Sequence, residues 1–305
     1  MTLQSTNDTR NGVLNAVSAY VMWGIAPVYF KLLIAVSPDE IMVHRVVWSC
    51  LLLFIIVLLS RKWPSLVQLI KQPKMLAQLA ITASFLGVNW FLFIWAVNNN
   101  HLLDASLGYF INPLFSVALA VIFLGERLRK WQLLAVVLAV IGVLIQLVSF
   151  GSLPIISLAL AGTFGIYGLL RKKLHVDSFI GLLVESVLML PIALIYWLYF
   201  VDSDSSNMMM NTQTLNITLI MAGVVTTAPL LCFTAAAKRL TLSTVGFFQY
   251  IGPSIMFILA TFYYQEPLIG AKLMTFCFIW VALLIYSFDA IKAHKNRVLI
   301  SQQPQ

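Results

Sequence analysis

The chain has 305 residues, of which 61% are hydrophobic and only 10% are charged, against roughly 25% charged residues in an average soluble domain. So few charges, separated by long apolar runs, cannot cover the surface of a soluble enzyme of this length, and the composition predicts an integral membrane protein. The net charge of +8 is divided among short segments between the apolar runs, which excludes a basic nucleic-acid-binding domain and a disordered tail.

Ten segments are apolar and long enough to cross a bilayer as helices, which takes about 20 residues each. Polar segments containing Pro, Gly or clustered Lys and Arg separate them. The sequence therefore predicts an all-α membrane protein with ten transmembrane helices. The predicted spans, numbered one to ten, are residues 12–36, 39–59, 75–97, 103–124, 131–149, 152–170, 179–200, 214–237, 242–264 and 270–290.

The loops between the spans predict the orientation, because Lys and Arg are enriched in cytoplasmic segments. With the N-terminus inside, every basic residue except Lys31, Arg45 and Lys272 lies in a cytoplasmic segment. Both termini are therefore expected in the cytoplasm, with residues 292–305 as a basic cytoplasmic tail. The polar residues 1–11 lack the apolar stretch and cleavage site of a signal peptide.

The two halves of the chain resemble each other, most clearly in spans four and nine. Gly108-Tyr109-Phe110 aligns with Gly246-Phe247-Phe248, and a proline and then a glutamate follow in both, thirteen residues apart. An odd number of spans in each half means that the halves insert in opposite directions. The pattern predicts inverted five-helix repeats, residues 1–150 and 151–291, with a binding site near the midplane of the membrane.

A five-plus-five arrangement, with Gly125-Glu126 ending span four and Gln265-Glu266 ending span nine, resembles the EamA-type drug/metabolite transporter superfamily. Within it, the chain is most similar to RarD-type permeases, also called chloramphenicol-sensitive proteins. This resemblance implies a multi-pass permease of the bacterial inner membrane that moves small metabolites or drugs. The residues that carry it are Trp23-Gly24 to Tyr29-Lys31, His44-Arg45, Asn89-Trp90, Tyr109 to Pro113 and Phe248 to Pro253.

Two charged side chains penetrate the predicted spans. Arg45 lies about 9 Å inside span two, where a charge is costly, and its guanidinium suits a carboxylate. The alternative is a structural arginine bound to helix-end carbonyls or to Glu40. Glu185 lies inside span seven and can serve as a proton-coupling carboxylate, or else pair with Lys172 or Lys173.

Polar and aromatic side chains inside the spans are expected to line the cavity or to pack between helices, because polar groups in lipid need partners within the protein. Aromatic rings can also stack on a flat substrate. The predicted cavity residues are Trp23, Tyr29, His44, Arg45, Trp48, Asn89, Trp90, Tyr109, Asn112, Tyr167, Gln249 and Tyr250.

Coupling or gating is assigned to Glu185, Pro113, Pro253 and Glu126. The two prolines are equivalent in the repeat and predict matched helix bends. Glu126 is either a gate or a helix-end carboxylate bonded to nearby donors, and the equivalent Glu266 has the same alternatives. Gly162, Gly165 and Gly168 allow close helix packing, either within the chain or in a homodimer.

The leading hypothesis is a secondary transporter working by alternating access, with chloramphenicol-like, aromatic or carboxylate substrates and a proton as a coupling ion. No P-loop, HExxH or GxSxG motif is present, so the chain is not predicted to be an enzyme. Cys50, Cys232 and Cys277 lack metal-ligand spacing, and no metal or cofactor is expected. An intramembrane enzyme acting on a lipophilic substrate, or a scaffold or channel, is the alternative.

Overall fold

A computed structural model of the protein describes residues 3–99, 101–151, 155–201, 203–263, 265 and 270–301, with side chains outside the description at 3–6, 97–98, 102–104, 150, 204, 272 and 294–301. The described residues form helices and loops without β-strands. Glu266 and the side chain of Asp104 lie outside these residues. The helices are α1 (Leu3–Lys31), α2 (Pro38–Leu59), α3 (Trp63–Ile70), α4 (Pro73–Asn98), α5 (Leu102–Leu124), α6 (Lys130–Phe150), α7 (Ile155–Lys173), α8 (Ser178–Phe200), α9 (Gln213–Arg239), α10 (Leu242–Phe248), α11 (Ile251–Ile258) and α12 (Gly270–Ser301).

The sequence predicts ten membrane-spanning helical segments, and among the described residues ten helices are long and apolar enough to cross a membrane. Helix α3 is an additional short helix between spans two and three. Spans three to eight are therefore α4 to α9, span nine contains α10 and α11, and span ten is α12. At both ends of the chain the helices extend beyond the predicted spans: α1 begins at Leu3, and α12 continues to Ser301, into the predicted tail.

Span nine is not one continuous α-helix. Between α10 and α11, the N–H groups of Gln249 and Tyr250 donate to carbonyls only three residues earlier, at 3.1 and 3.2 Å. Pro253, which has no N–H to donate, follows this interruption, and a π-helical turn, Leu259–Tyr263, ends the span. The equivalent Pro113 lies within the uninterrupted helix α5. The two prolines therefore do not produce the same local structure.

The halves of the chain are packed mainly against each other. Helix α1 packs against α9 and α11, while α7 packs against α4 and α5. Helix α2 packs against α8 and α9, and α4 also contacts α8. Helices α5 and α10 form one contact between the halves, and α6 and α12 form another. The core is thus shared between the halves, and each half alone would leave much of its apolar surface uncovered.

Small residues let these helices approach closely. A Cβ atom added at Gly223 of α9 would lie 2.5 Å from the carbonyl carbon of Trp48 on α2. The hydroxyl of Ser49 donates to the carbonyl of Gly223 at 3.2 Å in the same contact. On α7, Gly165 faces Phe115 of α5, and Gly168 faces Phe233 of α9. These two α7 glycines are therefore used in packing within the chain.

We predict that Gly223→Ala destabilises the protein by about 1–3 kcal/mol, the usual cost of overpacking, because the added methyl group meets backbone that cannot rotate away. The matched control is Gly270→Ala, where a Cβ atom would meet nothing within 4 Å. Thermal unfolding of both purified variants in detergent measures the difference. Equal melting temperatures for the two would contradict the close α2–α9 packing.

An ion pair joins the segment before α3 to the start of α8. Asp177 caps α8 by accepting from the N–H groups of Phe179 and Ile180, and Lys62 donates to its other carboxylate oxygen at 2.6 Å. Partial burial raises the pKa of Asp177, but the bond and charge of Lys62 and the two backbone donors outweigh burial and hold it below its usual value. This contact fixes the loop between α7 and α8.

Candidate functional site

Arg45 projects from α2 about 10 Å beyond the start of that helix, at about 1.5 Å per residue. Its Nε donates to the hydroxyl of Thr226 on α9 at 2.8 Å. The guanidinium carbon lies 4.7 Å from the ring centre of Trp90 on α4 and 5.8 Å from that of Phe30 on α1, within the range of a cation–π interaction. Four helices therefore position this one cation.

The charge of Arg45 is not neutralised within the described part of the chain. No described carboxylate lies within 4 Å of it, and neither Nη group donates to a described protein group. Glu40, the alternative partner considered from the sequence, approaches His44 instead. A half-buried guanidinium with two unused donor groups is chemically suited to a bidentate anion such as a carboxylate.

Aromatic side chains surround this cation. Tyr29 and Tyr109 lie within electrostatic range of the Arg45 guanidinium. Tyr29 donates to the carbonyl of Thr218 at 2.7 Å. The ring of Tyr109 is 42% exposed and lies 6.5 Å from that of Phe93. Arg45, Trp90, Tyr29 and Tyr109 thus form one group, which we call the Arg45 site.

An apolar cavity of about 130 Å³ begins beside Tyr109. An engineered apolar cavity of similar size, about 150 Å³, holds a benzene ring. The cavity offers space for one flat ring, adjacent to a residue of the Arg45 site. Its lining includes Tyr109, Phe110, Pro253, Met256, Phe257 and Phe276.

Two predicted cavity residues of α2 lie elsewhere. His44 is fully buried, and its ring centre lies 4.9 Å from that of Trp197 on α8. The indole N–H of Trp48 donates to Nδ1 of His44 at 3.0 Å. His44 therefore packs toward α8, while the next residue, Arg45, reaches α9 and α4.

Trp23 and Tyr167 belong to an aromatic cluster in the core. The ring of Trp23 lies 5.8 Å from Phe164 and 6.0 Å from Phe233, and Tyr167 stacks on Phe233 at 6.1 Å. Tyr167 has no exposed surface. The structure does not bring these two residues to the Arg45 site.

The polar residues predicted in spans three, four and nine mostly join helices. Asn89 donates to the carbonyl of Leu160 and to the hydroxyl of Thr163, both at 2.9 Å. Gln249 donates to Ser116 at 3.1 Å, and Tyr250 to the carbonyl of Phe110 at 3.3 Å. Asn112 differs, because its Oδ1 is buried without a partner.

Glu185 is buried in a polar cluster between α4, α7 and α8. Its carboxylate accepts from Thr82 at 2.5 Å, from Tyr167 at 3.3 Å and from Arg171 at 3.4 Å. Arg171 is only 1% exposed, and its guanidinium occupies the space above Gly181. The basic partner is thus Arg171, whereas the sequence interpretation considered Lys172 and Lys173.

Glu126 caps the first turn of α10. Its two carboxylate oxygens accept from the N–H groups of Leu242 at 2.7 Å and Ser243 at 3.0 Å, donors that have no partner within their own helix. Gly125, in the left-handed conformation with φ 62°, ends α5 just before it. Glu126 therefore has the contacts of a helix-end carboxylate, and these contacts join α5 to the first half of span nine.

We predict that Glu126→Ala lowers the free energy of unfolding by about 1–2 kcal/mol, a typical cost of losing a helix cap with a favourable charge. Glu126→Gln keeps one acceptor oxygen and is expected to cost less. Melting temperatures in detergent test this order, with the exposed Gln68→Ala as a control for polar surface loss. If Glu126→Ala melts like the wild type, the cap does not stabilise α10.

Three residues that the sequence interpretation did not identify complete the Arg45 site and the polar cluster around Glu185. Thr226 holds Arg45, Phe30 lies below the guanidinium, and Arg171 pairs with Glu185. In the sequence, Arg171 is one of three consecutive basic residues that together predict a cytoplasmic loop, and nothing distinguishes it there from Lys172 and Lys173. Among the described residues, no group of three or more His, Cys, Asp and Glu side chains is placed to hold a metal ion.

Comparison with known proteins gives one family. Residues 10–148 match the EamA-like transporter family. The chain is 57% identical over 286 residues to an "Uncharacterized transporter" of Vibrio cholerae, covering 94% of this chain and 95% of that protein. It is 56% identical over 288 residues to "Protein RarD" of Escherichia coli, with 94% and 97% covered. A crystal structure with 16% identity matches with a TM-score of 0.69 over 90% of this chain and 96% of that one, which supports the fold alone.

Proposed function

Because the chain belongs to the EamA-like transporter family and is RarD-like, we propose that it is a secondary transporter for small organic anions. It is a multi-pass transporter of the bacterial inner membrane. The observation that carries the anion proposal is the half-buried guanidinium of Arg45, which no described carboxylate neutralises. We propose no enzymatic activity for the chain.

The substrate class proposed is a carboxylate attached to an aromatic ring. The two free Nη groups of Arg45 match the two oxygens of a carboxylate, and the cavity beside Tyr109 has room for one ring. A chloramphenicol-like molecule has a ring but no carboxylate. It therefore distinguishes binding of the ring from binding of the charge.

Alternating access between inverted repeats is proposed from the packing. The contacts between helices repeat when each span is replaced by its equivalent, five places along, in the other half. The contact of α1 (span one) with α9 (span eight) then corresponds to that of α7 (span six) with α4 (span three). The contact of α5 (span four) with α7 (span six) corresponds to that of α11 (span nine) with α1 (span one). Equivalent residues also make equivalent contacts. Gly24 faces Ile255, and its equivalent in the second half, Gly165, faces Phe115, the equivalent of Ile255. The proposed repeats are residues 1–150 and 151–291, with both termini in the cytoplasm.

The contacts of Glu185 support a structural role. A carboxylate that accepts from Thr82, Tyr167 and Arg171 in a fully buried position has an internal partner for its charge and no exposed surface. We therefore propose that Glu185 fastens α8 to α4 and α7, and assign a coupling proton to other residues.

A ligand screen tests the proposed function. The purified protein in detergent is heated with benzoate, aromatic amino acids, aliphatic carboxylates and chloramphenicol, since a ligand that binds the folded state raises the melting temperature. Aromatic carboxylates are expected to give the largest increase and to cross proteoliposome membranes only when the protein is present. The proposal fails if none of these compounds stabilises the protein, or if stabilising compounds show no protein-dependent flux.

A further inference from the structure

Two titratable side chains at the outer end of α2 are completely buried next to each other. Glu40 and His44 are both 0% exposed, and Oε1 of Glu40 lies 3.8 Å from Nε2 of His44. This distance is too long for a hydrogen bond, and neither atom has another partner. Since buried polar atoms are nearly always bonded, this pair has an unused interaction.

The remaining atoms of the pair define where its protons lie. Nδ1 of His44 accepts from the indole N–H of Trp48 at 3.0 Å, so we assign the neutral tautomer with its proton on Nε2, facing Glu40. The other oxygen of Glu40 accepts from the hydroxyls of Ser203 at 2.6 Å and Ser205 at 2.8 Å. No described Lys or Arg lies within 4 Å of Glu40.

Addition of one proton would change this arrangement. A proton taken up from water binds to Nδ1 of His44, and the resulting imidazolium can approach the Glu40 carboxylate as an ion pair. Nδ1 then no longer accepts, so the indole N–H of Trp48 loses its partner. Trp48 lies three residues after Arg45 on α2, and its main chain contacts α9 at Gly223.

We propose that Glu40 and His44 form a proton-binding site whose protonation releases the Trp48 side chain and so alters the packing of α2 beside the Arg45 site. As a coupling site it rests on the proposed transport function. Binding of the proton itself does not depend on that function.

Other charged groups around the pair have partners of their own. From α8, Trp197 contacts His44, and the neighbouring Tyr196 donates to Asp39 at 3.0 Å. Arg45 is bonded to Thr226 of α9. Helix α4 presents Trp90 to Arg45, and Glu185 is bonded to Arg171. Among the described residues, protonation of His44 therefore depends on Glu40 and on the neighbouring Arg45, whose charge no described carboxylate neutralises.

Tryptophan fluorescence tests the site without a substrate. Protonation of a histidine that contacts an indole changes the emission of that indole. Because the ring of His101 stacks on that of Trp95 at 5.5 Å, the measurement is made in a His101→Gln background. The purified protein is then expected to show a fluorescence transition with the slope of one proton as the pH is lowered. His44→Gln should remove it, whereas Trp48→Phe should leave only the part reported by Trp197, whose ring also contacts His44. His175→Gln, which replaces an exposed histidine, should leave it unchanged.

Glu40→Gln keeps the shape of the side chain and gives a second, independent result. Without the carboxylate, the imidazolium is less stable, and the midpoint is expected to move to lower pH by about one unit or more. A wild-type protein without a transition, a transition that survives His44→Gln, or an unchanged midpoint in Glu40→Gln would overturn the proposal. Each of these outcomes leaves carboxylate binding at Arg45 unaffected, whereas failure of carboxylate binding leaves this titration in place.

Discussion

Replacing Arg45 with Ala is expected to abolish transport while the protein still inserts and accumulates in the membrane. Two charge-assisted hydrogen bonds to the substrate are lost, each worth about 1.5–3 kcal/mol, which corresponds to about 100-fold or more in affinity. Arg45→Lys retains the charge but not the paired donors, and we expect it to keep only part of the activity. Flux into proteoliposomes, normalised to the amount of inserted protein, measures both variants.

The control for this prediction is Arg127→Ala, which removes an exposed arginine from the loop after α5. It should transport at the wild-type rate. If Arg45→Ala transports equally well, the guanidinium does not bind the substrate. If Arg45→Ala instead does not accumulate in the membrane, the bond of Arg45 to Thr226 and its contacts with Trp90 and Phe30 are needed for folding. The flux of Arg45→Lys then decides whether the paired donors matter for transport.

Removing either partner of the buried pair Arg171–Glu185 is expected to destabilise the protein by about 3–5 kcal/mol, because the remaining charge is left buried without a partner. Arg171→Leu and Glu185→Leu should each melt far below the wild type. The double variant should melt above both single variants, since it leaves no buried charge. Glu185→Gln should also lower stability through the unpaired Arg171, without removing any pH dependence of flux.

Lys173→Leu is the matched control, because Lys173 is the exposed third residue of the same basic run. Its melting temperature should stay close to that of the wild type. A double variant as unstable as the sum of the single variants would show that the two side chains act independently. A loss of pH-dependent flux in Glu185→Gln, with normal stability, would return the coupling role to Glu185.

The number of spans was predictable because membrane insertion depends on local properties, namely segment length and hydrophobicity. Arg45 was predictable as a candidate for the same reason: a charge within an apolar helix is conspicuous in one sequence. Details that depend on hydrogen bonding in three dimensions were not. The interruption at Gln249–Tyr250, for example, lies just before Pro253, whereas the equivalent Pro113 lies within the continuous helix α5.

The residues that bond to Arg45 and to Glu185 were the least predictable part of the site. Thr226 is one of two adjacent threonines in α9, and only the rotation of that helix determines which of them meets Arg45. His44 precedes Arg45, yet adjacent residues on a helix point in directions about 100° apart, so one packs toward α8 and the other toward α9. Arg171 was hidden in a basic run that predicts a cytoplasmic loop, where charged residues are ordinarily solvated.

The most direct test of the central claim compares a charged substrate with its neutral analogue. Proteoliposomes containing the protein are loaded with an unlabelled aromatic carboxylate, and uptake of the same labelled compound is measured against uptake of its amide. We predict rapid exchange of the carboxylate by the wild type, little exchange of the amide, and no exchange of either compound by Arg45→Ala. Equal exchange of acid and amide, or wild-type exchange of the acid by Arg45→Ala, would contradict an anion-binding role for Arg45.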